Sequence, residues 1–205
     1  MARALLHVLT GPWLEPGTPP EEFARAVAAG GADVVQLREK SRSDSELVIA
    51  AAAMLAVVRR AGSRLVVDDR LDVALRSGAD GLHVGPEDLP VVEARRLWSG
   101  ILGASCRTVA SARAAESAGA DYLGVGPVFA SASKPGLPPA IGLDAVAAIA
   151  RAVRIPVIGI GGIDAGNAAS VIRAGAAGVA VISAVAGRAD PQAAVRELRE
   201  AIDSF

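Results

Sequence analysis

The chain has 205 residues, a net charge of −1 and a single cysteine, and it is 52% hydrophobic but only 3% aromatic. This balance argues against general nucleic-acid or membrane-surface binding. The lone Cys106 excludes an internal disulfide framework and suits a reducing cytoplasm. The length lies near the lower limit for a (β/α)8 barrel, and so few aromatics predict a core of Val, Ile, Leu and Ala.

The opening MARALLHVLTG is too short and too lightly charged for a secretory signal and reads as a first strand, Leu5 to Leu9. A loop and a helix over Glu21–Ala29 follow, ending at Gly30-Gly31. Strand two is Asp33 to Leu37, and a charged loop leads to a helix capped by Ser43 or Asp44 and running to about Ala61. The longest apolar run, Leu47 to Val58, is far shorter than the roughly 20 residues that span a bilayer.

Strand three, Leu65 to Val67, runs into Asp68-Asp69-Arg70 and a short helix to Arg76. Strand four, Asp80 to Val84, meets Gly85-Pro86-Glu87-Asp88, and Pro90 opens a helix to Trp98. Strand five, Ile101 to Ala104, delivers Ser105, and Thr108 or Ser111 caps the next helix. Strand six, Asp121 to Val125, enters a long loop from Gly126 to Gly142, then a helix over Leu143–Val153. Pro156 to Ile160 is strand seven, ending in Gly161-Gly162, with Asp164 as a helix N-cap candidate. Ala177 to Ile182 is strand eight with Ser183 at its end, and Pro191 starts a last helix ending near Asp203.

This βα alternation implies an α/β protein with a parallel sheet. Alternation alone does not separate a closed barrel from an open sheet, but an internal echo does help. Gly31-Ala32-Asp33, Gly78-Ala79-Asp80, Gly119-Ala120-Asp121 and Gly175-Ala176-Ala177 each precede an even-numbered strand. They recur at roughly 40–55-residue intervals, each as the glycine C-cap of a helix turning into a strand. Such a two-unit echo is natural in a closed ring, so the expectation is a single TIM-barrel domain over residues 1–205.

In such barrels the chemistry lies at the carboxyl ends of the strands, where this chain collects its polar residues. Gln36, Arg38 and Lys40 alternate onto one side of extended backbone. Asp69 and Asp88, from adjacent strand ends, suit Mg²⁺, which takes one or two carboxylates, waters and phosphate oxygens. The strand-six loop adds Ser131, Ser133 and Lys134. Arg38, Lys40, Lys134 and one Mg²⁺, set against Asp69 and Asp88, leave roughly +3, matching a diphosphate ester of about −3. Gly161, Gly162, Ser183 and Ala184, at the ends of strands seven and eight, form a second anion site through backbone N–H groups. Two such sites on one face suggest two phosphorylated small molecules being joined or exchanged. His83 and His7 read as hydrogen-bonded core histidines, and Cys106 as a packed thiol.

The segments VVQLREK (Val34–Lys40), DDRLDVAL (Asp68–Leu75), GADGLHVGPEDLP (Gly78–Pro90), LGAS (Leu102–Ser105), GADYLGVGPVFASASKPG (Gly119–Gly136), IGIGGI (Ile158–Ile163) and GVAVISAV (Gly178–Val185) resemble the thiamine phosphate synthase and thiazole tautomerase family. The resemblance implies a Mg²⁺-dependent transferase joining hydroxymethylpyrimidine diphosphate to thiazole phosphate with release of pyrophosphate. It implies that Arg38, Lys40 and Lys134 hold the pyrophosphate with Asp68 nearby, and that Asp69 and Asp88 are metal ligands. It further implies that Gln36 and Ser105 contact the aminopyrimidine, and that Ser131, Ser133, Gly162, Ile182 and Ser183 line the thiazole-phosphate side. Neither nucleic acid nor membrane is an expected partner, and a homo-oligomer is compatible with the sequence.

The chain departs from the family pattern at four places. Asp68 stands for the usual Asn, Pro86 for a Gln, Ser131 and Ser133 for a Thr pair, and Arg107 for a His. In thiazole tautomerases that His is the acid/base, and an Arg cannot give up its proton near neutral pH. Arg107 therefore speaks against the tautomerase alternative. The remaining rival is a non-catalytic paralogue that binds phosphate ligands.

Overall fold

The computed structural model describes residues 3–11, 18–131 and 138–204. Its strands are β1 (Leu5–Leu9), β2 (Val34–Leu37), β3 (Arg64–Asp68), β4 (Gly81–Val84), β5 (Ile101–Cys106), β6 (Tyr122–Val125), β7 (Val157–Ile160) and β8 (Gly178–Val181). All pair in parallel in chain order, and β8 returns to β1 in the register Leu5↔Gly178 to Val8↔Val181. That last pairing closes the barrel, which strand–helix alternation alone did not require. The outer ring is α1 (Pro20–Gly30), α2 (Asp44–Arg60), α3 (Leu71–Ser77), α4 (Val91–Leu97), α5 (Val109–Ser117), α6 (Gly142–Ala152), α7 (Ala168–Arg173) and α8 (Pro191–Asp203).

Among the described residues, side-chain caps set three of the eight helix starts. Ser43 and Glu46 form a reciprocal capping box on α2, Thr108 and Ser111 form one on α5, and Asp190 caps α8 ahead of Pro191. Asp164 does not cap α7 as the sequence suggested. Its carboxylate instead accepts from Gly166 N–H at 2.9 Å, which turns the chain before Asn167, the observed N-cap. A short Asx-type turn outcompetes direct helix entry here, and the helix starts later.

The Gly-Ala-Asp echo has a structural cause at both ends. Gly31, Gly78, Gly119 and Gly175 all have positive φ, between 69° and 106°, which favours glycine at a helix exit. The aspartates pin the amino-terminal ends of the preceding odd strands. Asp33 accepts from Leu6 N–H at 2.8 Å, Asp80 from Leu65 N–H at 2.9 Å, and Asp121 from Leu102 N–H at 2.8 Å. One arginine clamps each unit by donating to both the Gly carbonyl and the Asp carboxylate: Arg199 for Gly31 and Asp33, Arg59 for Gly78 and Asp80, Arg95 for Gly119 and Asp121. The fourth echo carries Ala177 in place of the Asp and has no carboxylate to pin its strand.

Between sheet and helices the core is aliphatic, as composition predicted, with Leu6, Val8, Val27, Met54, Leu65, Leu82 and Leu123 wholly buried. The lumen departs from that prediction. There His7, His83 and Tyr122 meet, His7 and Tyr122 edge-to-face with centroids 5.3 Å apart. Two strand glycines make room for the rings. A Cβ on Gly103 would lie 2.2 Å from the Tyr122 ring and 2.5 Å from His83 Nδ1, and one on Gly124 would lie 3.0 Å from His83 Cε1.

Candidate active site

The carboxyl ends of β2 and β3 carry the densest polar cluster. Leu9 and Gln36 are register partners, so Thr10 stands beside the chain as it leaves β2. Thr10 Oγ1 accepts from Arg38 N–H at 2.8 Å and donates to Arg38 O at 3.1 Å. This clamp fixes the backbone from which Arg38 and Lys40 project. The sequence reading gave Thr10 no role, because the partner lies 28 residues away.

Gln36 is buried in the lumen, and its Nε2 donates to Asp68 Oδ1 at 2.9 Å. Arg38 Nε lies 3.4 Å from Asp68 Oδ2, and Lys40 pairs with Asp69 Oδ2. The alternation of Gln36, Arg38 and Lys40 onto one side is thereby borne out. Asp69 has φ 59°, in the left-handed region that Asp tolerates better than most residues. Its N–H donates to His83 O at 2.9 Å, tying the turn to β4.

Electrostatics divide the two aspartates. Burial, then the Asp69 side chain and its charge, push the Asp68 pKa well above the usual carboxylate range, against the pull of Arg38 and Lys40. Burial opposes ionisation of Asp69 too, but its hydrogen bonds to Asp68 and Lys40 and the nearby cations hold its pKa below the ordinary value. The pair thus keeps a proton preferentially on Asp68. Asp68 is thus the less readily ionised of the two, at the position where the family pattern carries a neutral Asn. Neither aspartate caps α3, whose N-cap is Arg70.

Asp88 Oδ2 accepts from Gly85 N–H at 2.7 Å and closes its own turn rather than capping α4. Asp69 and Asp88 follow the paired neighbouring strands β3 and β4, which brings both to one stretch of the mouth. Among the described residues no group of three or more His, Cys, Asp or Glu is arranged to hold a metal with protein ligands alone. Two carboxylates completed by water and phosphate are nonetheless the donor set Mg²⁺ prefers, so Asp69 and Asp88 fit it.

Ser105 is the penultimate residue of β5, which runs on through Cys106, and it is exposed, with its Oγ 3.0 Å from His83 Nε2. Arg107, just beyond, donates to Pro139 O at 2.7 Å and so holds the far limb of the β6–α6 loop. On the near limb Ser131 is half-buried, whereas Ser133 and Lys134 lie outside the described residues. Gly161 and Gly162 have φ of 97° and 67°. A Cβ on Gly161 would lie 2.6 Å from Pro127 Cβ, and one on Gly162 2.5 Å from Ala130 O. These glycines therefore let the Ser131-bearing loop lie directly against the end of β7. Ile182 and Ser183 follow β8, where Ile182 O accepts from Val185 and Ala186 N–H at 3.0 and 2.8 Å.

Polar groups gathered at the carboxyl ends of a closed barrel, over a stabilised opposite face, define a (β/α)8-barrel enzyme. The chain's relatives narrow the class. The family model described as thiamine monophosphate synthase matches residues 6–185. A thiamine-phosphate synthase of Moorella thermoacetica is 51% identical over 96% of this chain and 95% of its own length. One of Methanoculleus marisnigri is 48% identical over 96% and 94%. The solved structure of a thiamine phosphate pyrophosphorylase from Pyrococcus furiosus superposes with TM-score 0.89 at 38% identity, covering 97% of this chain and 95% of that one. The chain belongs to the thiamine monophosphate synthase family.

Proposed function

We propose that this chain joins hydroxymethylpyrimidine diphosphate to thiazole phosphate, releasing pyrophosphate and forming thiamine phosphate. The observation that carries this reading is the linked cluster of Gln36, Arg38, Lys40, Asp68 and Asp69 on the ends of two adjacent strands. It offers two cations held beside two carboxylates around one point, which suits a metal-bound leaving group of high negative charge.

In the proposed reaction the bond between the pyrimidine methylene carbon and the diphosphate oxygen breaks, and its electron pair leaves with pyrophosphate. Arg38, Lys40 and Lys134 neutralise that developing charge. Gln36 and Ser105 hold the ring, whose amino group stabilises the benzylic-type cation. Thiazole phosphate, held by Ser131, Ser133, Gly162, Ile182 and Ser183, presents its ring nitrogen, whose lone pair forms the new carbon–nitrogen bond. Asp69 and Asp88 would hold Mg²⁺, which supplies charge neutralisation on the diphosphate. No protein nucleophile is needed.

We assign residues 1–205 to one domain and the protein to the cytoplasm, in keeping with the unpaired, buried Cys106. No helix among the described residues is long and apolar enough to cross a membrane. The deciding experiment incubates both phosphorylated halves with Mg²⁺ and follows pyrophosphate and thiamine phosphate together. Equal release of both supports the synthase. Binding of the halves without turnover would replace this reading with that of a binding paralogue, and isomerisation of the thiazole alone with that of a tautomerase.

A further inference from the structure

The lumen holds buried polar groups that the proposed chemistry does not use. Tyr122, the one tyrosine in the chain, places its hydroxyl 3.0 Å from His83 Nδ1, and His83 Nε2 lies 3.0 Å from Ser105 Oγ. The three residues lead from the closed interior to the mouth. They meet because Gly103, between His83 and Tyr122 in the strand register, carries no side chain. An alanine there would separate the rings and break the line.

The direction of these hydrogen bonds follows from counting protons. A phenol has one proton to donate. Among the described residues its hydrogen-bond partner is His83 Nδ1, and a buried donor left without an acceptor is costly. Tyr122 therefore donates and Nδ1 accepts. A ring nitrogen that accepts a hydrogen bond bears no proton, so His83 is the neutral imidazole. A neutral imidazole that accepts at Nδ1 carries its proton on Nε2. Nε2–H then donates to Ser105 Oγ and leaves the Ser105 hydroxyl proton aimed at the mouth.

We propose that Tyr122 and His83 are positioning residues that fix Ser105 as a hydrogen-bond donor toward the substrate. The group Ser105 meets is then an acceptor, such as a pyrimidine ring nitrogen, and not an amino group. This rests on the assignment of Ser105 to the pyrimidine made above. Neither ring touches the reacting atoms. Their effect passes through the orientation of one hydroxyl.

The first test needs no substitution. The chain has two histidines, so nitrogen-15 spectra of histidine-labelled protein give two ring patterns, assigned by a His7→Gln variant. The expected result is a neutral His83 protonated at Nε2, and protonation at Nδ1 overturns the proposal. The second test is kinetic. Tyr122→Phe keeps the ring and should raise KM for the pyrimidine diphosphate about tenfold, the scale of one hydrogen bond, with kcat, melting temperature and KM for thiazole phosphate nearly unchanged. Its His83 signals should show mixed tautomers. Adding Tyr122→Phe to Ser105→Ala should cost nothing further, since the hydroxyl it orients is already gone. If Ser105→Ala alone leaves KM unchanged, the assignment of Ser105 fails and the proposal with it. If Ser105→Ala raises KM while Tyr122→Phe leaves both KM and tautomer unaltered, the relay fails and the assignment stands.

Discussion

Gln36 Nε2 donates to Asp68 Oδ1 at 2.9 Å, joining the end of β2 to the end of β3 beneath the cations of the candidate site. Asp68 also faces Arg38, and burial with the neighbouring Asp69 raises its pKa well above the ordinary carboxylate range, disfavouring its charge. An amide of the same shape should therefore replace it. Asp68→Asn is expected to keep kcat/KM within about threefold of the parent, whereas Asp68→Leu, which leaves Gln36 and Arg38 unpaired, should lose about a hundredfold. Steady-state pyrophosphate release measures both, and equal losses in the two variants would contradict this account.

Lys40 is half exposed and meets the fold chiefly through its ion pair with Asp69. An exposed pair contributes little to stability, while a cation placed on a departing diphosphate stabilises the transition state strongly. Lys40→Ala should lower kcat by about 10²- to 10³-fold with a melting temperature close to the parent's. Normal turnover in that variant would remove Lys40 from the reaction.

On the opposite face, Asp121 accepts from Leu102 N–H at 2.8 Å and from Arg95 at 3.0 Å. Asp121→Ala strands a backbone donor at the foot of β5 and should cost about 1–3 kcal/mol in urea unfolding. Asp121→Asn, which keeps an acceptor oxygen, should cost less. Neither should change kcat, because stability and chemistry lie at opposite ends of the barrel. A fall in kcat matching the fall in stability would argue that the two ends are not separable.

His7 gives stability a pH dependence. Burial, reinforced by repulsion from His83, lowers its pKa from 6.5 to about 3. Between those values the unfolded chain takes up a proton that the native state refuses. Stability is therefore full above pH 6.5 and declines as pH falls toward about 3, by a total on the order of 3–5 kcal/mol. Denaturant midpoints from pH 7 to pH 4 should fall less steeply in His7→Leu than in the parent. Parallel slopes would show that His7 does not carry the effect.

Much of the site was legible because strand ends in a βα repeat are legible. The run Val34–Leu37 into Arg38 and Lys40 announced both a strand and what it delivers, and the Asp69 and Asp88 positions followed from the next two units. His7 and His83 were legible as core histidines, and His83 is hydrogen-bonded as expected, but their meeting with Tyr122 was not. Composition argued for an aliphatic interior, yet His7 of β1 and Tyr122 of β6 meet across the lumen, and consecutive pairing of β4, β5 and β6 sets Gly103 between His83 and Tyr122. Asp164 misled because an Asp before a helical pattern signals equally a cap and a turn.

The sequence by itself determined the order of the elements, the glycine exits at Gly31, Gly78, Gly119 and Gly175, and the residues presented at each strand end, since all of these depend on near neighbours in the chain. Only the tertiary structure decided that β8 closes on β1, that Asp33, Asp80 and Asp121 pin strands 15 to 27 residues upstream, and that Tyr122 reaches Ser105 through His83. These are pairings between residues remote in sequence. Barrel curvature and register bring them together, and neither is written into any single segment.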